Sequence, residues 1–123
     1  MSLHRIIVRL ARNPDAGREA DDHEGYTLYA PLTAEGYLDA DAFIQHREAC
    51  TVRRFLPDAD PVMGRLSRHG TAWFFDYDQS RQDDDQPVYR LGQHRFVLGD
   101  YLTISNEDGV PLTYKITDVM PLA

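Results

Sequence analysis

The sequence has one cysteine, one lysine and no long run of apolar residues. Because Cys50 has no second cysteine to pair with, a disulfide within the chain is excluded, and a reducing compartment is favoured over a secreted location. The segment Met1–Ile6 lacks the apolar run and the small-residue cleavage site of a signal peptide. Charged residues interrupt the apolar stretches too often for a membrane span. We therefore expect a cytoplasmic protein with no membrane partner.

Motifs that carry catalysis or hold a cofactor are also absent from the sequence. The glycines stand singly, and no Gly-x-Ser-x-Gly, phosphate-loop or dinucleotide-binding pattern is present. Neither Cys-x-x-Cys nor His-x-x-x-His offers the ligand spacing of a zinc site. The sequence therefore predicts no cofactor and no metal, and it favours a binding protein over an enzyme.

The net charge is −7 at pH 7, although arginine outnumbers lysine twelve to one. An acidic protein of this size repels polyphosphate at long range, which argues against a nucleic-acid partner. The use of arginine at nearly every basic position indicates a coding bias more than a chemical need.

The sequence does contain enough apolar and aromatic residues for a folded core. Hydrophobic residues make up 42% of the 123 positions, and thirteen residues are aromatic. A chain of this length can bury a single core without disulfides or metals. We expect residues 1–123 to form a single domain.

Alternating apolar residues predict two strands in the amino-terminal third. In Leu3–Ala11 they occupy every second position, and the alternation resumes in Tyr26–Leu32. The acidic stretch Glu19–Glu24 between them is expected to be a solvated loop.

One helix is predicted, at about residues 39–49. Asp39 is a favourable N-cap, and Asp41 lies where the helix dipole favours a negative charge. About eleven residues make a marginal helix alone, so its apolar stripe must pack on a sheet. That stripe comprises Leu38, Ala42, Phe43, His46 and Cys50.

Hairpins dominate the remaining chain. Val62–Arg68 and Thr71–Asp78 flank a His-Gly pair. Tyr101–Ser105 is predicted to pair with Leu112–Val119 across a connection that contains Gly109, in a register that brings Ile104 near Leu112 or Tyr114. A preceding strand is expected at Thr51–Leu56, and two short ones at Val88–Leu91 and Arg95–Leu98.

Together these elements predict an α+β fold. We expect a mainly antiparallel sheet, curled or closed into a small barrel, with one packing helix at about residues 39–49. A parallel α/β fold is excluded because one helix cannot supply its crossovers.

Trp73, Phe75 and Tyr77 share one face of a predicted strand. Three aromatics at a period of two are typical of a buried face, so we expect Trp73 in the core. The alternative is a stacking platform, with Trp73 and Tyr77 exposed in an OB-like RNA binder.

Two groups of residues resemble metal or catalytic sites without completing one. His46 and Cys50 are four positions apart, but both belong to the apolar stripe, and core packing is the preferred interpretation. The segment Asp76–Ser80 begins like a calcium loop, yet Arg81 replaces the turn glycine and Pro87 the bidentate glutamate. The acidic run Asp83–Asp85 is typical of a solvated turn.

Charge is distributed unevenly along the chain. From His46 to Gly70, five arginines face three acidic residues, a local balance of +2. Guanidinium groups bind carboxylate or phosphate through paired hydrogen bonds, so this segment is the candidate for an anionic partner. The predicted binding residues are Arg53, Arg54, Arg65 and Arg68.

The functional hypothesis is a non-catalytic cytoplasmic module that binds a protein or a small anionic ligand. One alternative is a small enzyme with its site at the barrel mouth, using His94, Arg95 or the Cys50 and His46 pair. The OB-like RNA binder is the other alternative, and the net charge opposes it.

Overall fold

Eight strands pair into one antiparallel sheet in the computed structural model, which describes residues 3–77, 85–88, 91–105 and 109–122, with residues 85–87 given by their backbone alone. The strands are β1 (Leu3–Leu10), β2 (Asp21–Pro31), β3 (Thr51–Leu56), β4 (Ala59–His69), β5 (Ala72–Asp76), β6 (Asp85–Val88), β7 (Tyr101–Ser105) and β8 (Pro111–Pro121). One α-helix, α1 (Ala40–Gln45), joins β2 to β3, and short 3₁₀ turns lie at Pro14–Ala16, Arg47–Ala49 and Leu91–Gln93.

The sheet curls into a half-barrel with the strand order β6-β5-β4-β3-β2-β1-β8-β7. The two end strands, β6 and β7, come into contact without forming a strand pair. Curling encloses one face of the sheet, which becomes the core. The predicted α+β fold with a mainly antiparallel, curled sheet is confirmed.

The core consists of the side chains on the inner face of the sheet. In β1 every second side chain, at Ile6, Val8 and Leu10, is buried, as the alternation predicts. The Tyr26 ring lies at the centre, with centroid distances of 5.4 Å to Phe75 and 5.3 Å to Tyr114. Strands distant in the chain are therefore joined through aromatic contacts.

Helix α1 covers one end of the core. Its N-cap is Asp39, whose carboxylate accepts a hydrogen bond from the Ala42 backbone N–H at 3.1 Å. The helix ends at Gln45 and a 3₁₀ turn replaces the rest of the predicted range. Because of this break the apolar stripe is also shorter than predicted, and His46 is exposed. The prediction of a packing helix is confirmed through Phe43, which is buried against the core.

Two local expectations were wrong. Asp21–Glu24 belongs to β2, and Glu24 is buried beside Arg18 at 2.5 Å, so an ion pair stabilises acidic residues within a strand. The predicted strand Arg95–Leu98 does not form, because the Phe96 N–H donates to the Gly36 backbone oxygen at 2.9 Å and Arg95 Nε to that of Glu35 at 2.7 Å. These bonds hold the segment against a turn, outside the sheet.

Both predicted hairpins are present. In β4–β5, Arg68 lies opposite Trp73, and in β7–β8, Ile104 lies opposite Leu112, the predicted register. Gly109 has a φ of 80°, the left-handed conformation expected of the connection. Within the described ranges no helix is long and apolar enough to cross a membrane.

Candidate functional site

The four arginines of the predicted binding site do not share one surface. Arg53 and Arg54 are adjacent in β3, so their side chains point to opposite faces of the sheet. Arg54 points to the inner face of the sheet, as the buried Val52 does two residues earlier, and it lies near Tyr114. Burial raises the pKa of Tyr114 well above its usual value, and the positive charge of Arg54 acts in the opposite sense.

Arg53 and Arg65 are exposed on the outer face. Arg53 lies opposite Met63 and Arg65 opposite Thr51, so the two arginines are diagonal neighbours across β3 and β4. They line different depressions, because Arg53 joins Arg9 and His23 over β1 and β2. Whether either arginine binds an anion stays a prediction.

Arg68 lies on the inner side, over an aromatic ring. Its Cζ is 5.3 Å from the centroid of Trp73, which is 4% exposed. The indole meets the Phe43 ring edge to face at 5.0 Å, and Cζ of Arg47 lies 5.6 Å from that ring. We call Arg47, Phe43, Trp73 and Arg68 the cation–aromatic stack.

One side of the stack opens into a cleft of about 790 Å³, here called the tryptophan cleft. Gly92 forms part of its wall, and a Cβ there would come within 2.7 Å of Trp73 Nε1, so only glycine lets the 3₁₀ turn approach the indole this closely. Among the described lining residues, Arg68 carries the only charged group, and most of the others are apolar. The apolar residues of the wall include Leu38, Ala40, Ala72, Trp73, Val88 and Leu91.

The other side of the stack borders a smaller space of about 350 Å³, here called the arginine depression. Strand β3 begins at Thr51, opposite Arg65, and Leu66 donates its N–H to the Cys50 oxygen at 3.0 Å. From Ser67 to His69, past this hydrogen bond, β5 is the only described strand that pairs with β4. Side chains from both faces of β4 therefore line the arginine depression. They include Arg65, Ser67, Arg68 and His69, with Arg47 on the opposite side.

The described lining of the arginine depression carries a net positive charge. Among the described residues it contains three arginines and one carboxylate, that of Asp76, a formal balance of +2 with histidine left out of the count. The ion pairs between described residues are Arg5 with Asp118 and Arg18 with Glu24, and neither involves an arginine of the depression. Arg68 Nε is buried and has no hydrogen-bond partner within the part of the chain that the structure describes.

The Cys50 and His46 pair does not form a catalytic dyad. Cys50 Sγ donates to the His46 backbone oxygen at 3.4 Å, while the imidazole is exposed at the end of α1. Burial raises the pKa of the Cys50 thiol to about 11, so the thiol is protonated at neutral pH. The prediction that Cys50 is buried is confirmed.

His94 and Arg95 line neither the tryptophan cleft nor the arginine depression. The His94 ring packs on Phe96 at 5.3 Å, and burial lowers its pKa, with the charge of Asp100 acting in the opposite sense. His94 Nε2 is buried without a hydrogen-bond partner among residues 3–77, 85–88, 91–105 and 109–122. His94 therefore packs within its own loop, and Arg95 holds that loop against the turn at Glu35.

The aromatic platform is not exposed. Trp73 is buried as predicted, and Tyr77 packs against the core, so a base could stack on neither ring without displacing side chains. Among the described residues no three His, Cys, Asp or Glu side chains are grouped as a metal site requires. The calcium-like segment beyond Tyr77, Asp83, Asp84 and the side chain of Asp85 lie outside the description.

Two members of the cation–aromatic stack were not predicted from the sequence to be site residues. Phe43 and Arg47 are four positions apart, a spacing that brings side chains together on a helix. That signal was present, but Phe43 was interpreted only as core and Arg47 only as part of a charge count.

Comparisons with known proteins leave the site to be interpreted from its own chemistry: the chain matches no protein-family model, and neither a curated protein nor a solved structure is significantly similar to it.

Proposed function

We propose that this protein is a non-catalytic binding module for a small anionic ligand, held at Arg68. One observation carries the proposal: the Arg68 guanidinium is stacked on Trp73 between two cavities, and its Nε has no hydrogen-bond partner among the described residues.

The position of Arg68 suits anion binding. A donor without an acceptor costs free energy, and because Arg68 lines both cavities, the N–H groups of its guanidinium that face them can donate to a ligand oxygen. Stacking on an indole fixes the plane of the guanidinium, so less side-chain entropy is lost on binding. Carboxylate and phosphate groups match the paired N–H groups of that plane.

The surroundings favour a small ligand over a protein. The tryptophan cleft, at about 790 Å³, is within the size range of small-molecule pockets, and Arg68 lines it. An acidic protein would contact the exposed Arg53 and Arg65 first, and these lie in separate depressions. The proposal places the module in the cytoplasm, where the single buried thiol of Cys50 stays reduced.

The alternatives gain no comparable support. An enzyme at the barrel mouth would need a titratable group in the cleft, and Cys50, His46, His94 and Arg95 are not among its lining residues. An RNA binder would need accessible rings, and Trp73 is buried.

Titration calorimetry tests the proposal with three probes of similar shape: benzoate, phenyl phosphate and the neutral benzyl alcohol. We expect the two anions to bind, more weakly as salt rises, and the alcohol to give no measurable heat. Arg68→Gln should weaken anion binding by about tenfold or more, because a charged hydrogen bond is lost. Arg12→Gln, at an exposed arginine that lines neither the tryptophan cleft nor the arginine depression, is the matched control and should leave the affinity unchanged. Equal binding of benzyl alcohol, or full affinity in Arg68→Gln, would overturn the proposal.

A further inference from the structure

The geometry of the two cavities points to a more specific ligand, and we propose that it is a phosphate monoester with an apolar body. The phosphate would occupy the arginine depression and the apolar body the tryptophan cleft. This inference rests on the proposed function, because both parts of the ligand meet at Arg68.

Charge is the first reason for a phosphate. The described lining of the arginine depression has a balance of +2, from Arg47, Arg65 and Arg68 against Asp76. A phosphate monoester carries about −1.5 to −2 at pH 7 and has three acceptor oxygens. A single carboxylate would neutralise only half of this excess positive charge. The phosphate group therefore matches both the charge and the number of donors.

The backbone of β4 adds a donor in the same direction. Leu66 points its N–H away from β5, toward the Cys50 oxygen. Because backbone groups alternate along a strand, the N–H of Arg68 points to the same side. At this point the residues before β3 no longer pair with β4, so the N–H faces the depression. The proposed phosphate thus lies between a main-chain N–H and three guanidinium groups.

The apolar body follows from the wall of the tryptophan cleft. Leu38, Trp73, Val88 and Leu91 are all buried residues that contribute to this wall. Arg68 lines both cavities, so a ligand with its phosphate at Arg68 can place its remaining atoms in the tryptophan cleft. An apolar group removed from water there gains binding free energy in proportion to its area.

The affinity of a homologous series tests this inference. The probes are methyl, butyl, hexyl and octyl phosphate, the carboxylates and alcohols of the same chain lengths, and inorganic phosphate, all below the concentrations at which they form micelles. Calorimetry at pH 8 keeps the esters doubly charged. We expect Kd to fall by about fourfold per methylene until the cleft is filled. Phosphates should bind about tenfold more tightly than carboxylates of equal length.

Variants assign the two parts of the ligand to the two cavities. Arg47→Gln and Arg65→Gln should reduce the preference for phosphate over carboxylate, with Arg12→Gln as control. Ala72→Leu, at an exposed position of the cleft wall, should weaken octyl phosphate while methyl phosphate binds as before. Ala59→Leu, exposed at the far end of β4, should affect neither ligand.

The outcomes separate this inference from the proposed function. Equal affinity for all chain lengths would overturn the apolar body, and equal affinity for carboxylates would overturn the phosphate. In both cases the proposed function stands, provided that Arg68→Gln still weakens the anion. If no anion binds, or if alcohols bind as well as phosphates, both are overturned.

Discussion

Arg68 and Trp73 lie directly opposite each other in the β4–β5 hairpin, and the guanidinium covers the indole at 5.3 Å. The pair joins the core to the proposed site, since Trp73 packs on Phe43 inside and lines the cleft outside. Trp73 is also the only tryptophan of the chain, so its emission reports on this one place.

Trp73→Ala should lower the free energy of unfolding by about 3–5 kcal/mol, because it empties a large buried site. Urea denaturation followed by circular dichroism measures this without needing the indole. Phe74→Ala, on the opposite face and only half buried, is the control and should cost less. An unchanged midpoint for Trp73→Ala would contradict the buried placement of the ring.

Gly92→Ala should destabilise the protein by about 1–3 kcal/mol, because the added Cβ would lie 2.7 Å from Trp73 Nε1. The emission spectrum of Trp73 should shift with the displaced indole. The neighbouring Gln93 is exposed, so Gln93→Ala should change neither stability nor emission. A fully stable Gly92→Ala with native emission would show that the turn is not pressed against the ring.

Cys50 should make stability depend on pH in the alkaline range. Burial raises the thiol pKa from about 9 to about 11, so between these values the unfolded chain is ionised while the folded protein keeps its proton. The unfolded state then binds fewer protons, and stability falls as pH rises from about 9 to 11, by about 2–3 kcal/mol. Measuring the free energy of unfolding against pH for both the protein and Cys50→Ala separates the contribution of the thiol from those of tyrosine and lysine. Identical pH slopes for the two proteins would disprove it.

The two ion pairs should differ in their contribution to stability. Glu24 has a side chain only 9% exposed, so Arg18→Ala leaves a buried carboxylate without its ion-pair partner and should cost about 1–3 kcal/mol. Adding Glu24→Gln should recover part of the loss. Both side chains of Arg5–Asp118 are about one third exposed, and Arg5→Ala should cost less than about 1 kcal/mol. Equal losses at both pairs would contradict the difference in burial.

The sequence predicted those features that depend on alternation along one strand. The burial of Ile6, Val8 and Trp73 and the register of Ile104 follow from a period of two and a turn signal. The same rule separates Arg53 from Arg54, but grouping arginines by charge alone ignored the faces on which they lie.

The site itself could not be predicted in this way because it depends on where elements stop. The start of β3 at Thr51 was predicted, but α1 ends at Gln45, before the predicted end at about residue 49, and this break brings Arg47 beside the uncovered part of β4. No glycine or proline lies between Gln45 and Thr51, so the sequence carries no stop signal for the helix there.

The late start of β3 also leaves a short stretch of β4, from Ser67 to His69, with β5 as its only strand neighbour among the described residues. Such an edge can recruit a strand from another copy of the chain, and charged side chains are a common protection against this. Arg65, Arg68 and His69 surround the stretch, so the groups that would attract an anionic ligand also repel a second copy of the same positively charged edge. Neutralising Arg65 and Arg68 together should therefore promote self-association in solution.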